Sequence, residues 1–162
     1  MNIVTDKATI NDIDELVQMR LDYLTEDYGT LTDAQITKIA SSLPDYYRMH
    51  LNKDLLVYVA RENIIVSCCF LLISEKPANP SFINGRTGSV LNVYTKPEYR
   101  KRGIAGKLME QLIAEANDIG LDYIELKSTD EGYPLYKSLG FQDVQSKYAG
   151  QDQGWQTRRR SC

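Results

Sequence analysis

The stretch SVLNVYTKPEYRKRGIAG, residues 89–106, decides the fold of this 162-residue chain. Its first seven residues are rich in β-branched and aromatic side chains, which predict a strand that Pro97 ends. From Gly103 onward, apolar residues recur every three or four positions, which predicts a helix over residues 103–119. A strand that leads through a glycine turn into a helix presents unpaired backbone N–H groups to an anion. Residues 100–106 therefore predict a phosphate-binding turn.

Two common nucleotide-binding motifs do not fit this turn. A Walker A loop ending at residues 106–107 requires Gly at position 101 and Ser or Thr at position 108, where the chain has Lys101 and Leu108. The dinucleotide fingerprint, counted from Gly103, is weakened by Ala105 and broken by Leu108. On these residues alone, a solvated basic turn before an ordinary amphipathic helix is the alternative interpretation.

Before this stretch, apolar spacing predicts three helices and one antiparallel hairpin. The helices cover residues 11–24, 32–42 and 45–51, and the hairpin strands cover residues 55–60 and 64–73. Pro44 is expected to stop the second helix, because proline disfavours helical conformation in the residue before it. Residues 77–88 are rich in Pro, Asn, Ser and Gly and predict a loop.

After the stretch, the chain alternates strands with one short helix. Residues 123–126 predict a strand, Thr129 or Asp130 is expected to cap a helix that closes at Gly140, and residues 141–144 begin another strand. A strand, helix, strand order favours parallel pairing of the two strands around the long helix. The sequence thus predicts an α/β domain built on a mixed sheet.

Composition restricts the classes of function. A chain of this length predicts one domain, and a net charge of −3 provides no whole-surface attraction for nucleic acid or anionic lipid. No run of about 20 apolar residues is present, so we expect a cytoplasmic protein that does not bind membranes. Three cysteines give no disulfide framework, and Cys68 and Cys69 lie in an apolar run.

The motifs resemble those of the GCN5-related N-acetyltransferase (GNAT) superfamily. Its acetyl-CoA signature is Gln or Arg, two residues, Gly, one residue, then Gly or Ala, and Arg100-x-x-Gly103-x-Ala105 matches it. Residues 91–99 are similar to the family's fourth strand and its Pro-acidic-Tyr lead-in, and residues 134–141 resemble its Leu-Tyr-x-x-x-Gly-Phe segment. The resemblance implies a mixed, mostly antiparallel sheet, flanked by helices, whose central parallel strands splay apart at the coenzyme site.

The resemblance also implies acetyl-CoA as cosubstrate, and no metal. The backbone of Val93, Tyr94 and Thr95 is then expected to pair with the pantetheine arm, and Thr129 lies where many members have an asparagine that contacts the coenzyme. Main-chain amides of the turn are expected to hold the pyrophosphate, with the basic side chains in support. The turn residues are Arg100, Lys101, Arg102, Gly103, Ile104, Ala105 and Gly106.

The implied reaction is direct attack of a primary amine, on a small molecule or a peptide, without an acyl-enzyme. Tyr136 resembles the family's general acid, and a backbone N–H near Tyr94 is the natural donor to the developing oxyanion. Glu125 is the candidate base, and Asn92 could order a water but cannot take a proton. His50 lies among the early helices, where catalysis is not expected.

Three further expectations concern the acceptor and the tail. The acceptor pocket is expected from residues 23–47, where Glu26, Asp27 and Asp45 could attract a cationic amine. Residues 151–162 form a polar tail, with disorder as one expectation, so the family's seventh strand could be short, swapped or absent and a homodimer could complete the pocket. A noncatalytic acyl-CoA sensor and a polyanion-binding protein using the three arginines at 158–160 are the alternatives.

Overall fold

The computed structural model describes residues 2–144 and 155–160. Four helices and seven strands form a mixed α/β fold. In chain order they are β1 Val4–Lys7, α1 Ile13–Tyr28, α2 Asp33–His50, β2 Leu55–Arg61, β3 Ile65–Glu75, β4 Arg86–Thr95, α3 Ile104–Asp118, β5 Tyr123–Ser128, α4 Tyr133–Ser138, β6 Gln142–Asp143 and β7 Trp155–Arg160. Within these residues, every helix is too short or too polar to cross a lipid bilayer.

All seven strands belong to one sheet, in the order β1-β2-β3-β4-β5-β7-β6. Neighbouring strands run antiparallel except β4 and β5, which pair in parallel over only three positions, from Thr87 opposite Tyr123 to Ser89 opposite Glu125. Beyond Ser89, β4 and β5 no longer pair with each other. There β4 pairs only with β3, and β5 pairs with β7. The predicted mixed sheet with splayed central parallel strands is confirmed.

Helices cover both faces of the sheet, so its central strands are buried on both sides. Alternate residues of β2 point to opposite faces: Val57 and Val59 pack with α1 and α2, and Leu56 and Ala60 pack with α3 and α4. This two-sided burial explains why β2 and β3 form nearly continuous apolar runs in the sequence rather than alternating ones.

The predicted break at Pro44 is wrong, because one helix, α2, runs through it. Thr32 and Gln35 form a capping box that begins this helix, and its far end carries Tyr47, which is 1% exposed and packs edge-to-face on Phe70 at 6.0 Å. Proline in a helix interior removes one hydrogen bond and crowds the carbonyl four residues before it, at a cost of about 3 kcal/mol. Burial of Tyr47 on the sheet fixes the last turns of α2 and offsets that loss.

The C-terminal segment contains a strand that the sequence did not predict. Trp155–Arg160 pairs along the whole of β5 and also with β6, so the seventh strand of the sheet comes from this chain. The reason for expecting a second subunit to complete the pocket therefore no longer applies. The other residues of the predicted polar tail, 151–154 and 161–162, lie outside the described residues.

Candidate active site

A cavity of about 360 Å³ opens where β4 and β5 separate, and α1 forms its third wall. It is lined by Arg20, Tyr23, Leu24, Asp27, Tyr28, Ser89, Val90, Leu91, Asn92, Val93, Glu125, Leu126, Lys127, Thr129 and Tyr136. The sequence predicted Val93, Glu125, Thr129 and Tyr136 as site residues, and the structure brings all four to this one cavity. The part of β4 that does not pair with β5 therefore lies beside polar side chains from α1, β5 and α4.

A bulge in β4 shapes the inner wall of the cavity. The register with β3 shifts between Cys68 and Phe70, and Asn92 has a left-handed φ of 54°. The buried Asn92 side chain donates to Cys68 Sγ at 3.4 Å and accepts from Arg20 Nη1 at 3.1 Å. Asparagine tolerates this conformation better than most residues do. Its two side-chain hydrogen bonds hold the strained backbone in place.

The carbonyl groups around the bulge show which N–H groups face the gap. The Asn92 carbonyl accepts from Cys68 Sγ at 3.6 Å, and the Tyr94 carbonyl accepts from Ser67 Oγ at 3.1 Å, so both point toward β3. In a planar trans peptide the N–H of the next residue points the opposite way. The N–H groups of Val93 and Thr95 therefore face the gap. Val93 lines the cavity, whereas its neighbour Tyr94, near which the oxyanion donor was expected, is not among the lining residues.

The turn at 100–106 joins β4 to α3 and presents backbone N–H groups at the start of that helix. Gly103 is the N-cap of α3 with a left-handed φ of 73°, and no side chain caps the helix. A β-carbon built on Gly103 would have no atom within 4 Å, so glycine is required there by conformation and not by space. The first N–H groups of α3 lack intrahelical partners and are free to bind phosphate oxygens.

Two of the three basic side chains in this turn have other partners. Arg100 donates to the Thr95 carbonyl at 2.9 Å and to Glu26 Oε2 at 2.5 Å, which ties the turn to α1. Arg102 donates to the Glu98 carbonyl at 3.1 Å. These arginines fix the shape of the turn, and the backbone amides remain its main feature for binding an anion.

Tyr136 lies on α4 with its ring packed between a glycine and an aromatic residue. A β-carbon on Gly132 would lie 2.9 Å from the Tyr136 ring, and the Phe141 ring contacts it edge-to-face at 5.9 Å. Tyr136 is 8% exposed, and burial raises the pKa of its hydroxyl well above the ordinary value. The hydroxyl therefore stays protonated over the physiological range and can donate a proton.

The other two predicted side chains already have protein partners. Glu125 Oε2 accepts from Arg158 Nη2 at 2.8 Å, and both side chains are about one quarter exposed. Thr129 Oγ1 accepts from the Gly132 N–H at 3.2 Å, so Thr129 supports the turn before α4 without being the helix cap, which is Gly132. The Thr129 hydroxyl hydrogen is not used in that bond.

The outer wall of the cavity comes from α1, and only part of it was predicted. Tyr23 and Asp27 line the cavity as expected, whereas Glu26 binds Arg100 and Asp45 pairs with Arg48 outside the cavity lining. Arg20 was missed by the sequence analysis. Positions 20, 23, 24, 27 and 28 share one helical face, which is the signal that could have identified it.

Several groups that could support other chemistry have structural surroundings. Burial raises the pKa of the Cys68 thiol to about 12, which leaves too little thiolate for a nucleophile. His50 bonds Asp54 at 2.7 Å outside the cavity lining. Across residues 2–144 and 155–160, no three His, Cys, Asp or Glu side chains cluster to hold a metal ion.

Comparison with known proteins agrees with this geometry. The family model described as an acetyltransferase (GNAT) domain matches residues 53–143, more than half of the chain. This chain is a member of the GNAT acetyltransferase family. The match contains the splayed strands, the anion-binding turn and Tyr136, and acetyl-CoA-dependent acetylation is the activity that this family supports.

Solved structures of other GNAT proteins share the fold over nearly the whole chain. A predicted acetyltransferase from Clostridium acetobutylicum, solved with acetyl-CoA, is 29% identical with a TM-score of 0.80, covering 93% of this chain and 96% of that one. A PaiA N-acetyltransferase from Thermoplasma acidophilum, in complex with coenzyme A, is 17% identical with a TM-score of 0.70 over 99% of both chains. The second likeness shows the fold alone.

A curated relative matches over a shorter region. Thialysine N-epsilon-acetyltransferase from Bos taurus is 36% identical over 63 residues, and the match spans 37% of this chain and 37% of the bovine protein. The alignment therefore covers little more than a third of that enzyme.

Proposed function

We propose that this GNAT protein transfers the acetyl group of acetyl-CoA to a primary amine by direct attack. The observation that carries the proposal is that the Val93 and Thr95 N–H groups point away from β3, and that Val93 and Tyr136 line the same cavity. Acetyl-CoA supplies an acetyl group already activated as a thioester. The residues of the chain bind, orient and move protons around it.

The binding roles follow from the backbone. The Val93 and Thr95 N–H groups would hold the pantetheine arm along β4, and the Val93 N–H would donate to the oxygen that gains negative charge. The N–H groups of residues 101–106 would hold the pyrophosphate, and the Thr129 hydroxyl can still donate a hydrogen bond to the coenzyme. Each site uses atoms that no other described group is shown to occupy.

Two side chains would transfer protons, one as the general acid and the other as the general base. In the transfer, a C–N bond replaces the C–S bond, the amine loses a proton and the leaving sulfur gains one. Tyr136 would protonate the sulfur, because its hydroxyl carries a proton at neutral pH and its ring is fixed by packing. Glu125 would take the proton of the amine, and its bond to Arg158 keeps its carboxylate oriented at the cavity wall.

The acceptor is proposed to be a primary amine on a small molecule or peptide. The name of the bovine relative, which denotes acetylation of an ε-amine, supports a primary amine rather than an alcohol or thiol. The cavity between α1 and the two strands is open enough for such a group to approach the gap.

Calorimetric titration tests the coenzyme part of the proposal. Acetyl-CoA and free CoA are expected to bind the purified protein with similar affinity, because the turn and β4 contact parts that both share, and NAD is expected not to bind. Failure to bind either CoA species would overturn the proposal. Tight binding without turnover of any amine would instead support the alternative of a noncatalytic acyl-CoA sensor.

The alternative of a polyanion-binding protein is not supported by the contacts of β7. Arg158 binds Glu125, Arg159 donates to the Leu139 carbonyl at 3.0 Å, and Arg160 donates to the Ser81 carbonyl at 2.8 Å. All three arginines line one pocket beside β6, but each already has a hydrogen-bond partner within the chain, so they do not form a free basic patch.

A further inference from the structure

Arg20 places an uncompensated positive charge in the wall of the cavity. It is half-buried, and its Nη1 donates to the amide oxygen of Asn92 at 3.1 Å, while its guanidinium carbon lies 5.7 Å from the centre of the Tyr23 ring. Both partners are formally neutral. Among the described residues no carboxylate oxygen lies within 4.0 Å of the Arg20 guanidinium.

Three other half-buried arginines have carboxylate partners, whereas Arg86 and Arg159, which lie outside the cavity lining, donate to backbone carbonyls. The side chains of Arg61, Arg100 and Arg158 are 26%, 31% and 26% exposed, and each makes an ion pair at 3.1 Å or less. A partly desolvated guanidinium is costly without an opposing charge. Arg20 therefore differs from this group in a way that a bound anion would correct.

The carboxylates nearest to Arg20 are engaged elsewhere or exposed. Glu26 binds Arg100, Glu125 binds Arg158, Asp22 accepts from Gln18 at 2.8 Å, and Asp27 is exposed on the outer side of the cavity. None of these groups lies within ion-pair distance of Arg20, so a bound anion could provide the opposing charge. The cavity is the place from which such a group can reach it.

We propose that Arg20 binds a carboxylate of the acceptor, so that the substrates are amino acids or similar amino carboxylates. The inference rests on the proposed function and names its substrate class. A guanidinium fork matches a carboxylate in shape and charge, and with Nη1 bonded to Asn92 its other N–H groups are available. Asn92 directly precedes Val93, so the bound carboxylate lies beside the proposed site of transfer.

The position of Arg20 also disfavours one rival acceptor class. A diamine or polyamine without a carboxylate would bring its second positive charge into the cavity wall that carries Arg20, where like charges repel. Asp27 on the same wall can hold an α-ammonium group of an amino acid, which makes the wall complementary to a zwitterion.

Acceptors that share the amine and differ in the carboxylate test whether the carboxylate is recognised. The proteinogenic L-amino acids, their carboxamides and 1,5-diaminopentane are each assayed for CoA release with saturating acetyl-CoA, in the wild type and in Arg20→Gln and Arg20→Lys. For the best acceptor, kcat/KM is expected to exceed that of its carboxamide by about 10- to 100-fold, the value of a charge-assisted hydrogen bond. This ratio should fall to about one in Arg20→Gln and be partly retained in Arg20→Lys.

Arg48→Gln is the matched control, because Arg48 is an exposed arginine on α2 outside the cavity lining, and its ratio should equal that of the wild type. Equal or faster turnover of the carboxamides or of 1,5-diaminopentane by the wild type would overturn the carboxylate proposal while leaving amine acetylation intact. So would an Arg20→Gln variant that loses acetyl-CoA affinity in calorimetry but keeps the ratio. No turnover of any acceptor would overturn the proposed transfer itself and the inference with it.

Discussion

The turn at 100–106 and the cavity at the β4–β5 gap present different kinds of binding groups. The turn is made of consecutive residues, and its binding groups are backbone amides shaped by Gly103. The cavity places side chains from α1, β5 and α4 beside the backbone of β4, and α1 is far from the other three elements in sequence. A backbone site recognises a ligand that all family members share, whereas a side-chain site can change its ligand by substitution.

This difference also separates the expected effects of substitution. Changes of Arg20, Glu125 and Tyr136 in the cavity should alter turnover or acceptor choice and leave coenzyme affinity nearly unaffected. Changes in the turn should alter coenzyme affinity and leave the maximal rate unaffected. The bulge at Asn92 lies between the two sites and should affect both.

The largest effect is expected from Tyr136→Phe. Loss of the proton donor should reduce kcat by about 10² to 10⁴-fold, the usual contribution of general acid catalysis, with acetyl-CoA affinity nearly unchanged. Steady-state assay and calorimetry measure the two quantities. Tyr133→Phe on the same helix is the control, because the Tyr133 hydroxyl bonds Asp143 on the exposed side of α4. A kcat for Tyr136→Phe close to that of the wild type would remove Tyr136 from the mechanism.

Asn92→Ala comes next, because it combines backbone strain with lost hydrogen bonds. A left-handed φ costs a non-glycine residue about 1–2 kcal/mol, and the lost bond to the charged Arg20 adds about as much. Urea unfolding should therefore show a loss of about 2–4 kcal/mol, together with weaker acetyl-CoA binding. Asn92→Gly removes the same side-chain bonds without the strain, so it should be more stable than Asn92→Ala. Equal stability of the two variants would show that the bulge conformation is not strained.

Gly103→Val tests the turn itself and should have a smaller effect. A β-branched residue at a φ of 73° is strained by about 1–2 kcal/mol, which corresponds to about tenfold weaker acetyl-CoA binding if the turn relaxes to avoid it. Because a β-carbon at this position contacts nothing, Gly103→Asn should retain most of the affinity. A decrease in kcat at saturating acetyl-CoA, with no change in affinity, would contradict the division between turn and cavity.

The smallest expected effect concerns the pH profile of kcat. With an ordinary tyrosine pKa of about 10, half of the Tyr136 population would be ionised at pH 10 and kcat would fall about twofold. Burial raises the pKa of Tyr136, so its hydroxyl stays protonated, and kcat should show no such fall between pH 8 and pH 10. Circular dichroism at each pH checks that the protein stays folded. A twofold fall with native spectra would place the hydroxyl in a wetter environment.

Much of the fold could be predicted because its signals are local. The hairpin of β2 and β3, the turn before α3 and the stop at Gly120 each follow from neighbouring residues, and the structure contains all three. The continuation of α2 through Pro44 and the strand Trp155–Arg160 could not be predicted, since each depends on tertiary partners: Phe70 beneath Tyr47 in one case, and β5 in the other.

The site residues also divide into those that a local sequence pattern predicts and those that depend on tertiary contacts. The motifs predicted the turn, β4 and Tyr136 as site residues, because each is carried by a short sequence pattern. Arg20 was missed because its importance comes from Asn92, 72 residues away, and from the absence of a nearby carboxylate, which no sequence pattern records. The orientation of the Val93 N–H likewise depends on hydrogen bonds from β3.

The ion pair between Glu26 and Arg100 physically links the proposed acceptor site to the proposed coenzyme site. It fastens α1, which carries Arg20 and Asp27, to the turn at which the coenzyme is expected to bind. Coenzyme that orders the turn would thereby restrain α1, and any resulting gain in acceptor affinity must be matched by an equal gain in coenzyme affinity when the acceptor binds first. The two substrates would then bind with positive cooperativity, through an ion pair that lies outside the cavity lining.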